Sequence, residues 1–427
     1  MTLVLVCALP IWAAFVTSGD VTNPLVSTAG AAELTLQGMI DQANAGDTIK
    51  LSSNTEVHAT LQITKNLTLD LNGHVLKMTG DVSVLKVSDR ATLTIQDSSA
   101  AKSGTITGGN AKDGGGVYIE AYATLEMTGG CITGCRAEDG GGVYIDNNAT
   151  LKMTGGCITD CHASYGGGIY SYENLYMGGT AKIEKCTSNG GSYDAIWNRE
   201  RCNIYADGGT VDGTVSNLGT IMHSEGAAAE TVFNGTVYNR SAGKIEAGIY
   251  KGTVENTGTI TGGTFYDAVT NRKASLSFMT EAGTISGGTF YGSIVNEGGP
   301  EQVADSAKVA VTFNTDGGTS VAEEKVLRGQ KMSKPAAPTK SGYTFTGWED
   351  ANGAYDFNTP VIAPLTLTAR WEEVPSSGGN YYYHPTTDTK ADDAKGSPKT
   401  ADPGVALYAA LSLLSLTGLT YTGRKKF

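Results

Sequence analysis

The sequence predicts an all-β protein whose main part is a right-handed parallel β-helix, and three observations support this fold class. Two consecutive 26-residue blocks, 114–139 and 140–165, are identical at 18 of 26 positions. A fixed period of this length is typical of a solenoid, in which each repeat stacks on its neighbour. Apolar and polar residues alternate within short runs, and the 57 glycines favour short strands and turns over long helices.

Three rows of apolar residues recur within each period and predict three short strands per coil. Val117 and Ile119 belong to the first row, Leu125 and Met127 to the second, and Ile132 to the third. Stacked coils then form three parallel sheets around one core, and each coil advances about 4.8 Å. We expect this rod to cover residues 32–300, with about ten coils and a length of about 50 Å.

The N-terminal residues suggest an export signal followed by a helix that covers the first coil. Residues 1–31 contain an apolar run and end in small residues, as signal peptides do, although no Lys or Arg precedes Lys50. The alternative is a buried N-terminal strand. Thr35 then fits a helix N-cap, and Gly46 fits a C-terminal stop. A short helix here would shield the open sheet edge.

The repeat changes after residue 205, where the coils become thinner and the spacing irregular. Each unit ends in an asparagine, which predicts a buried ladder of side-chain amides bonding coil to coil; these residues are Asn217, Asn239, Asn256, Asn271 and Asn296. The alternative for this half is a separate all-β domain.

Composition and charge place the chain outside the cell and away from nucleic acids. The net charge is −12, and only 17% of the residues are charged. No basic cluster occurs before the last residues, which excludes the usual electrostatic signature of nucleic-acid binding. An acidic surface rich in Thr, Gly and Asn is typical of extracellular proteins.

Residues 309–373 form a second domain with a specific sequence pattern. The pattern consists, in order, of NTDGG (314–318), KPAAPTKSGYTFTGW (334–348), YDFNTPV (355–361) and LTLTARW (365–371). It resembles the internalin-type B repeat, also called the Listeria–Bacteroides repeat. The resemblance implies a small β-grasp-like module of bacterial surface proteins that serves as a spacer or adhesion module and has no catalytic residues.

The C-terminal residues resemble a sortase-type sorting signal. Residues 374–396 have the Pro, Ser, Thr, Gly and Asp content of a disordered linker. The sequence Ser397-Pro398-Lys399-Thr400-Ala401 follows, with Pro398 and Thr400 at the family's fixed positions and Ala401 in place of its Gly. Within 397–427, an apolar segment, 405–422, is long enough to be a transmembrane helix, and basic residues follow it. The resemblance implies transient contact with sortase and attachment to peptidoglycan, or else a membrane anchor.

Three tyrosines on the outer face of the repeat are candidate ligand-binding residues. Tyr118, Tyr144 and Tyr170 point away from the core and would stack as an exposed aromatic strip. Such strips hold sugar rings or partner proteins. The alternative is a ladder that packs on itself and only stabilises the sheet.

The segment 192–201 breaks the repeat and brings Trp197, Arg199 and Arg201 close together. We interpret it as an irregular loop, and Trp197 and Arg199 join the candidate ligand-binding residues. Acidic residues also stack: Glu120 over Asp146 in one register. Asp113 and Asp139 form a similar pair. Enzymes of the β-helix class use paired carboxylates, but solvated turn residues explain this pattern better, because no Arg or Lys repeats beside them.

The cysteines fall into two registers that the period stacks. Cys131 and Cys157 share one register, and Cys135, Cys161 and Cys186 share another. Stacking spreads thiols along a sheet instead of around a tetrahedron, which excludes a usual zinc site. We expect buried, reduced columns, with a disulfide between adjacent coils as the alternative.

Together these features predict an extracellular bacterial protein anchored to the cell wall or membrane. The expected function is non-catalytic binding or adhesion to glycans, a host surface or matrix, without a cofactor, metal or nucleic-acid partner. The alternative is a carbohydrate-active enzyme of the pectate-lyase-like β-helix class, a polysaccharide lyase or a glycoside hydrolase. This choice rests on architecture, since a fold alone does not determine function.

Overall fold

The computed structural model describes residues 20–22, 35–189, 195–273 and 282–375. Within them the rod is a parallel β-helix, because strands of successive coils pair in parallel and in register. Val117, Tyr118 and Ile119 pair with Val143, Tyr144 and Ile145 one period later. The period seen in the sequence is therefore one turn of the coil.

One face of the rod is a sheet in which each coil contributes one strand. Its eleven described strands are Leu61–Ile63, Leu85–Val87, Val117–Ile119, Val143–Ile145, Ile169–Ser171, Ile196–Asn198, Val215–Asn217, Val237–Asn239, Val254–Asn256, Val269–Asn271 and Ile294–Asn296. The strand Ile196–Asn198 follows the register of its neighbours. The prediction of an irregular loop at 192–201 was wrong for this part, since its alternating residues fill the same inward and outward positions.

The other two faces join into one network of 21 strands. One row contains Asp20–Thr22, Thr48–Lys50, Leu67–Asp70, Thr92–Gln96, Thr124–Met127, Thr150–Met153, Thr220–Met222, Lys244–Ile245, Thr259–Ile260 and Thr284–Ile285. The other contains Thr55–Val57, Val75–Met78, Thr105–Thr107, Cys131–Thr133, Cys157–Thr159, Val232–Phe233, Ile249–Tyr250, Thr264–Phe265 and Thr289–Phe290. The long strands Asn174–Glu184 and Asn203–Asp212 belong to both rows and link them.

The middle coils carry a fourth strand that the apolar pattern does not reveal. These strands are Asn110–Asp113, Arg136–Asp139, His162–Ala163 and Thr187–Ser188. The expectation of three strands per coil was therefore wrong here. The added strands hold almost only polar side chains at their exposed positions, so no apolar row marks them in the sequence.

The first coil is closed by the short helix Leu36–Gln42. Thr35 is its N-cap, and the Thr35 hydroxyl accepts a hydrogen bond from the Gly38 N–H at 3.1 Å, as predicted. Leu36, Met39 and Ile40 are buried against the first coil. The helix ends at Gln42, with Ala43 as its C-cap, earlier than the predicted stop at Gly46.

A side chain of this helix replaces a missing strand at the edge of the first sheet. The Gln62 N–H donates to Gln37 Oε1 at 2.8 Å, and Gln37 Nε2 donates to the Gln62 carbonyl at 3.2 Å. These are the two groups that an added strand would otherwise use. Free sheet edges promote association between chains, so Gln37 blocks one such edge.

The predicted asparagine ladder is present and begins one coil earlier than expected, at Asn198. In each coil, Nδ2 donates to Oδ1 of the next asparagine at 2.7–2.9 Å. The residues of the ladder are Asn198, Asn217, Asn239, Asn256, Asn271 and Asn296. The linked asparagines are 15 to 25 residues apart, so the ladder keeps coils of unequal length in register. This half is a continuation of the same helix, not a separate domain.

The same coils contain a stack of aromatic rings in the core. Phe233, Tyr250, Phe265 and Phe290 stack with ring centroids 4.8–5.0 Å apart. Tyr250 is fully buried, and its hydroxyl donates to the Ala247 carbonyl at 2.7 Å. The hydrogen bond satisfies the one polar group that burial would otherwise leave without a partner.

The cysteine columns differ from each other. Cys135, Cys161 and Cys186 are buried thiols, as predicted. Cys131 and Cys157 form a disulfide, with Cα atoms 4.5 Å apart, so the prediction of a reduced column was wrong for this pair. Each of these cysteines directly precedes a buried isoleucine in its own strand. Because side chains alternate along a strand, the cysteines lie on the outer side, not in the core.

Residues 309–373 form a separate five-stranded mixed sheet with its own core around Trp348. Its strands are Val309–Asn314, Glu324–Val326, Tyr343–Asp350, Gly353–Ala354 and Leu365–Glu373. The first and last strands pair in parallel, and the other pairs are antiparallel. We call this domain the repeat module.

The repeat module closes the other end of the rod. Two short 3₁₀ helices, Pro300–Gln302 and Asp305–Ala307, lead from the rod to the module. The Ile294 N–H donates to the Arg328 carbonyl at 2.8 Å, and the Gly329 N–H donates to the Val361 carbonyl at 2.8 Å. Residues 328–330 thus occupy the place of a further strand, so this sheet edge is covered as well.

The terminal predictions fall mostly outside the described residues. Asp20–Thr22, inside the predicted signal peptide, pairs in parallel with Thr48–Lys50. Of the predicted linker, only 374 and 375 are described, and the sorting signal and the transmembrane segment 405–422 lie outside the described ranges. Among the residues that can be described, no helix is both long and apolar enough to cross a bilayer.

Candidate functional site

The predicted tyrosines form one column on the outer side of the eleven-stranded sheet. Tyr118, Tyr144 and Tyr170 are register partners in successive coils. Lys86 precedes them in register, and Trp197 follows them. The column, which we call the aromatic column, therefore joins four of the five candidate ligand-binding residues.

Stacking turns the ring faces of the aromatic column toward each other. The ring centroids are 5.3 Å apart for Tyr118 and Tyr144, 5.6 Å for Tyr144 and Tyr170, and 6.3 Å for Tyr170 and Trp197. Tyr170 is only 8% exposed, since the Tyr172 ring packs against it with the two ring centroids 5.4 Å apart. The expectation of an exposed aromatic strip was wrong, because Tyr118 and Tyr144 are only partly exposed and Tyr170 is buried.

A second column runs beside the first, two residues further along the chain in each coil and one residue past the end of each strand. It contains Glu120, Asp146, Tyr172 and Arg199, and backbone hydrogen bonds link each residue to the preceding coil. The Arg199 guanidinium lies 4.1 Å from the centre of the Tyr172 ring. A cation over an aromatic face is attracted by the ring's electron density, so Tyr172 holds Arg199 in place.

The two columns end at a cavity of about 620 Å³, which we call the end cavity. Its lining is Asn147, Tyr170, Tyr172, Glu173, Trp197, Arg199, Glu200, Arg201, Cys202 and Leu218. Aromatic rings and two charges of each sign therefore converge on one space. Pockets that bind small ligands combine apolar contact surface with polar groups that fix orientation, and this lining provides both, with the polar surface the larger.

Burial changes the acidity of two groups at this site. It raises the pKa of the Cys202 thiol to about 11, with a further contribution from the negative charge of Glu173. It also raises the pKa of Tyr170 well above its usual value, helped by the hydrogen bond to Tyr172. Neither group is ionised at neutral pH, so the end cavity offers a neutral thiol and a neutral phenol.

The stacked carboxylates belong to the coils that precede the end cavity, and Asp113 and Asp139 lie on the added fourth strands. Asp113 pairs in register with Asp139, and burial raises the pKa of both, with added repulsion from neighbouring carboxylates. Glu120 forms an ion pair with Lys86 at 3.0 Å, and Asp146 accepts a hydrogen bond from the Tyr118 hydroxyl at 2.9 Å. In the described ranges, no group of three or more His, Cys, Asp or Glu residues could hold a metal ion.

The structure unites Tyr170, Trp197 and Arg199 in the end cavity and leaves Tyr118 and Tyr144 outside it. Sequence reasoning missed Glu173 and Leu218, because each lies near a strand end with no distinctive neighbour. Tyr172 carried a signal: it follows Glu120 and Asp146 in a column that the period already defined. The sorting residues 397–401 lie outside the described residues.

Comparison with known proteins identifies one part of the chain. A protein named as a Gly-rich membrane protein, from Evansella cellulosilytica, is 36% identical over 66 residues, which are 14% of this chain and 8% of the relative. A second membrane protein of that organism is 32% identical over 118 residues, 26% of this chain and 17% of the relative. Internalin H of Listeria monocytogenes is 34% identical over 91 residues, 20% of this chain and 16% of the relative.

The chain thus spans less than a fifth of the length of each of these curated relatives. The family model of the Listeria-Bacteroides repeat domain matches residues 310–370. This range coincides with the five-stranded repeat module, from its first strand to its last. Residues 310–370 therefore match the Listeria-Bacteroides repeat domain, in agreement with the sequence motifs.

Proposed function

We propose that this is a surface-associated bacterial protein that binds glycans in the end cavity, without catalysis. The observation that carries the proposal is the convergence of Tyr170, Tyr172, Trp197 and Arg199 on one space of about 620 Å³. Aromatic side chains contact the apolar faces of sugar rings, and their polar tips bond to hydroxyl groups. Volumes of this size suit a small ligand or a short stretch of polymer.

The charged residues of the cavity support a neutral sugar as the ligand. Arg199 and Arg201 are balanced by Glu173 and Glu200 in the lining. Guanidinium groups donate hydrogen bonds and carboxylates accept them, so together they match the vicinal hydroxyls of a sugar. Because the four charges cancel, the cavity favours hydrogen bonding over the capture of an ion.

The relatives support a location at the cell surface. Their printed names are membrane protein and internalin, and residues 310–370 match the family model of the Listeria-Bacteroides repeat domain. We further propose that the protein is held at the surface by wall attachment through Thr400 or by a membrane anchor at 405–422.

Mass spectrometry of cell-wall digests tests the wall attachment. A peptidoglycan peptide joined to Thr400 supports it, and a mature protein with residues 401–427 intact contradicts it.

The binding proposal is tested with the full chain on an array of neutral and acidic oligosaccharides. We expect wild type to bind, and Trp197→Ala and Arg199→Ala to weaken binding at least tenfold. Arg90→Ala is the matched control, since Arg90 also lies over a tyrosine, 5.0 Å from the Tyr122 ring, but outside the cavity. An array without wild-type binding contradicts the proposal, as does equal binding by all variants.

The second candidate function is a carbohydrate-active enzyme, and one observation favours it. Asp113 and Asp139 are neighbours in register, and both have a raised pKa, as a general acid requires. Release of reducing sugar or unsaturated products from polysaccharides by wild type, and its loss in Asp139→Asn, would replace the binding proposal. No release by wild type excludes the enzyme.

A further inference from the structure

A second pair of aromatic residues lies on the rod, far along the chain from the end cavity. Tyr266 and Tyr291 stack with ring centroids 4.8 Å apart and an interplanar angle of 14°. Their exposed fractions are 52% and 54%, in contrast to the half-buried or buried tyrosines of the aromatic column. We call this pair the tyrosine platform.

The core holds the tyrosine platform rigidly in place. Tyr266 and Tyr291 directly follow Phe265 and Phe290, two members of the buried aromatic stack. Their backbone N–H groups donate to the Tyr250 and Phe265 carbonyls at 2.8 and 2.7 Å. Because the backbone is fixed by both contacts, the two rings lose little freedom when a ligand binds.

The platform ends at the junction with the repeat module. Arg328 Nε donates to the Tyr291 carbonyl at 2.8 Å, so the module covers the backbone beyond Tyr291. Among the described residues, the ring–ring contacts of the tyrosine platform end at Tyr291. The high exposure of Tyr291 shows that much of its ring still meets water, unlike the rings of a ladder that continues.

We propose that the tyrosine platform is a second glycan-binding surface, which takes the pyranose rings of an unbranched neutral polysaccharide. The inference shares only the ligand class with the proposed function. Because the two rings stack on each other, the apolar contact is made by their exposed parts outside the stack, and each ring adds a hydrogen-bonding hydroxyl. Lys251 and Asp267 nearby in sequence are exposed and opposite in charge, so they favour hydrogen bonds to hydroxyl groups over an ionic ligand.

The two surfaces together would distinguish a polymer from a short sugar. Trp197 lies in Ile196–Asn198, and Tyr266 follows Thr264–Phe265 on a different face, in a coil that is four coils further along. The offset along the rod axis is roughly 20 Å, so a polymer that reaches both surfaces also passes around the rod. A polysaccharide long enough to reach both surfaces binds the second surface as an intramolecular event, which raises the overall affinity of the protein for the polymer. A short oligosaccharide meets one surface at a time and lacks this gain.

The test measures binding of hexamers and of long polymers of β-1,4-linked glucose, N-acetylglucosamine and xylose to the full chain. The proteins are wild type, Tyr266→Ala/Tyr291→Ala, Trp197→Ala and the combination of all three changes. Tyr122→Ala is the matched control, because Tyr122 is 55% exposed and lies elsewhere on the rod. Thermal unfolding of each variant verifies that the exposed positions do not alter folding.

The platform is supported if Tyr266→Ala/Tyr291→Ala lowers affinity for the polymer about tenfold and the combined variant loses binding further. If Trp197→Ala loses binding while the platform variant equals wild type, the platform is refuted and the end cavity stands. If the platform variant loses binding while Trp197→Ala equals wild type, the end cavity is refuted and the platform stands. If wild type binds none of these glycans, the platform is refuted, and the oligosaccharide array decides on the end cavity.

Discussion

Ser171 and Asn198 are register partners in neighbouring coils, and they mark the start of the asparagine ladder. Asn198 Nδ2 donates to Asn217 Oδ1 at 2.8 Å, but the buried Asn198 Oδ1 accepts no hydrogen bond from the described residues. Ser171 provides only a short hydroxyl, which donates to the Glu173 carbonyl. The first amide of the ladder therefore lacks the donor that every later amide has.

Extending the ladder by one residue should stabilise the protein. In Ser171→Asn, the new amide takes the ladder position and donates to Asn198 Oδ1, which raises the free energy of unfolding by about 1 kcal/mol. Ser171→Ala is the control, because it removes the hydroxyl without adding a donor. Denaturant unfolding compares the variants, and an Asn variant no more stable than the Ala variant contradicts the prediction.

Acid should weaken the rod through Asp97. Burial acts to raise the pKa of Asp97, but hydrogen bonds from Ser99, Gly104 and Gly73 outweigh it and lower the pKa. A lowered pKa contributes stability that is complete above the ordinary value near 3.8 and is lost as the pH falls through the folded-state value. We expect Asp97→Asn to cost about 1–3 kcal/mol at neutral pH and to flatten the fall of stability below pH 4.

Unfolding measured between pH 2.5 and pH 7 checks this prediction. Asp160→Asn is the matched control, because Asp160 is an exposed turn residue of the same rod and should change neither the stability nor its pH dependence. A wild-type profile that stays flat below pH 4, or one that Asp97→Asn leaves unchanged, argues against the role of Asp97.

Removing the edge-blocking side chain should cause association between rods. In Gln37→Leu, the Gln62 N–H and carbonyl lose their partners, and the freed edge can pair with another chain. Sedimentation velocity should show dimers or larger species that grow with concentration. Gln42→Leu is the control, since Gln42 lies exposed on the same helix; a variant at position 37 that stays as monomeric as this control refutes the prediction.

The disulfide should stabilise the rod without being needed for the fold. It closes a loop with a sequence separation of 26, which corresponds to about 3 kcal/mol. We expect reduction, or Cys131→Ser/Cys157→Ser, to lower the free energy of unfolding by that amount while circular dichroism stays unchanged. Alkylation should modify Cys135 and Cys161 only after unfolding. Rapid alkylation of these thiols in the native state would contradict their burial.

The sequence predicted the fold where a repeated side chain has one physical role. Val117 and Val143 could be placed in register from the period alone, since a one-residue slip would turn them to the solvent. The asparagines were predicted for the same reason, because an amide at a fixed turn can bond only to its copy in the next coil. Thr35 was predicted as a cap from local chemistry alone.

Other features depend on side-chain directions that the period does not determine. Cys131 and Cys135 have the same period, but only the first lies on the outer side of its strand, where its partner forms a disulfide. The stacking of Tyr144 was foreseen, while its hidden ring faces were not, because Tyr172 comes from a different column. The end cavity lies where the two columns stop, and the break in the repeat at 192–201 marks this place in the sequence. The contribution of Glu173 and Leu218 to its lining is not marked.

The fluorescence of Trp197 tests the central claim most directly, namely that the end cavity binds a sugar. The chain has four tryptophans, so wild type and Trp197→Phe are titrated in parallel with an oligosaccharide that binds on the array. We predict a saturable change in emission for wild type that is absent from Trp197→Phe. An equal change in both proteins, or binding of the sugar without any change in wild type, would contradict the account.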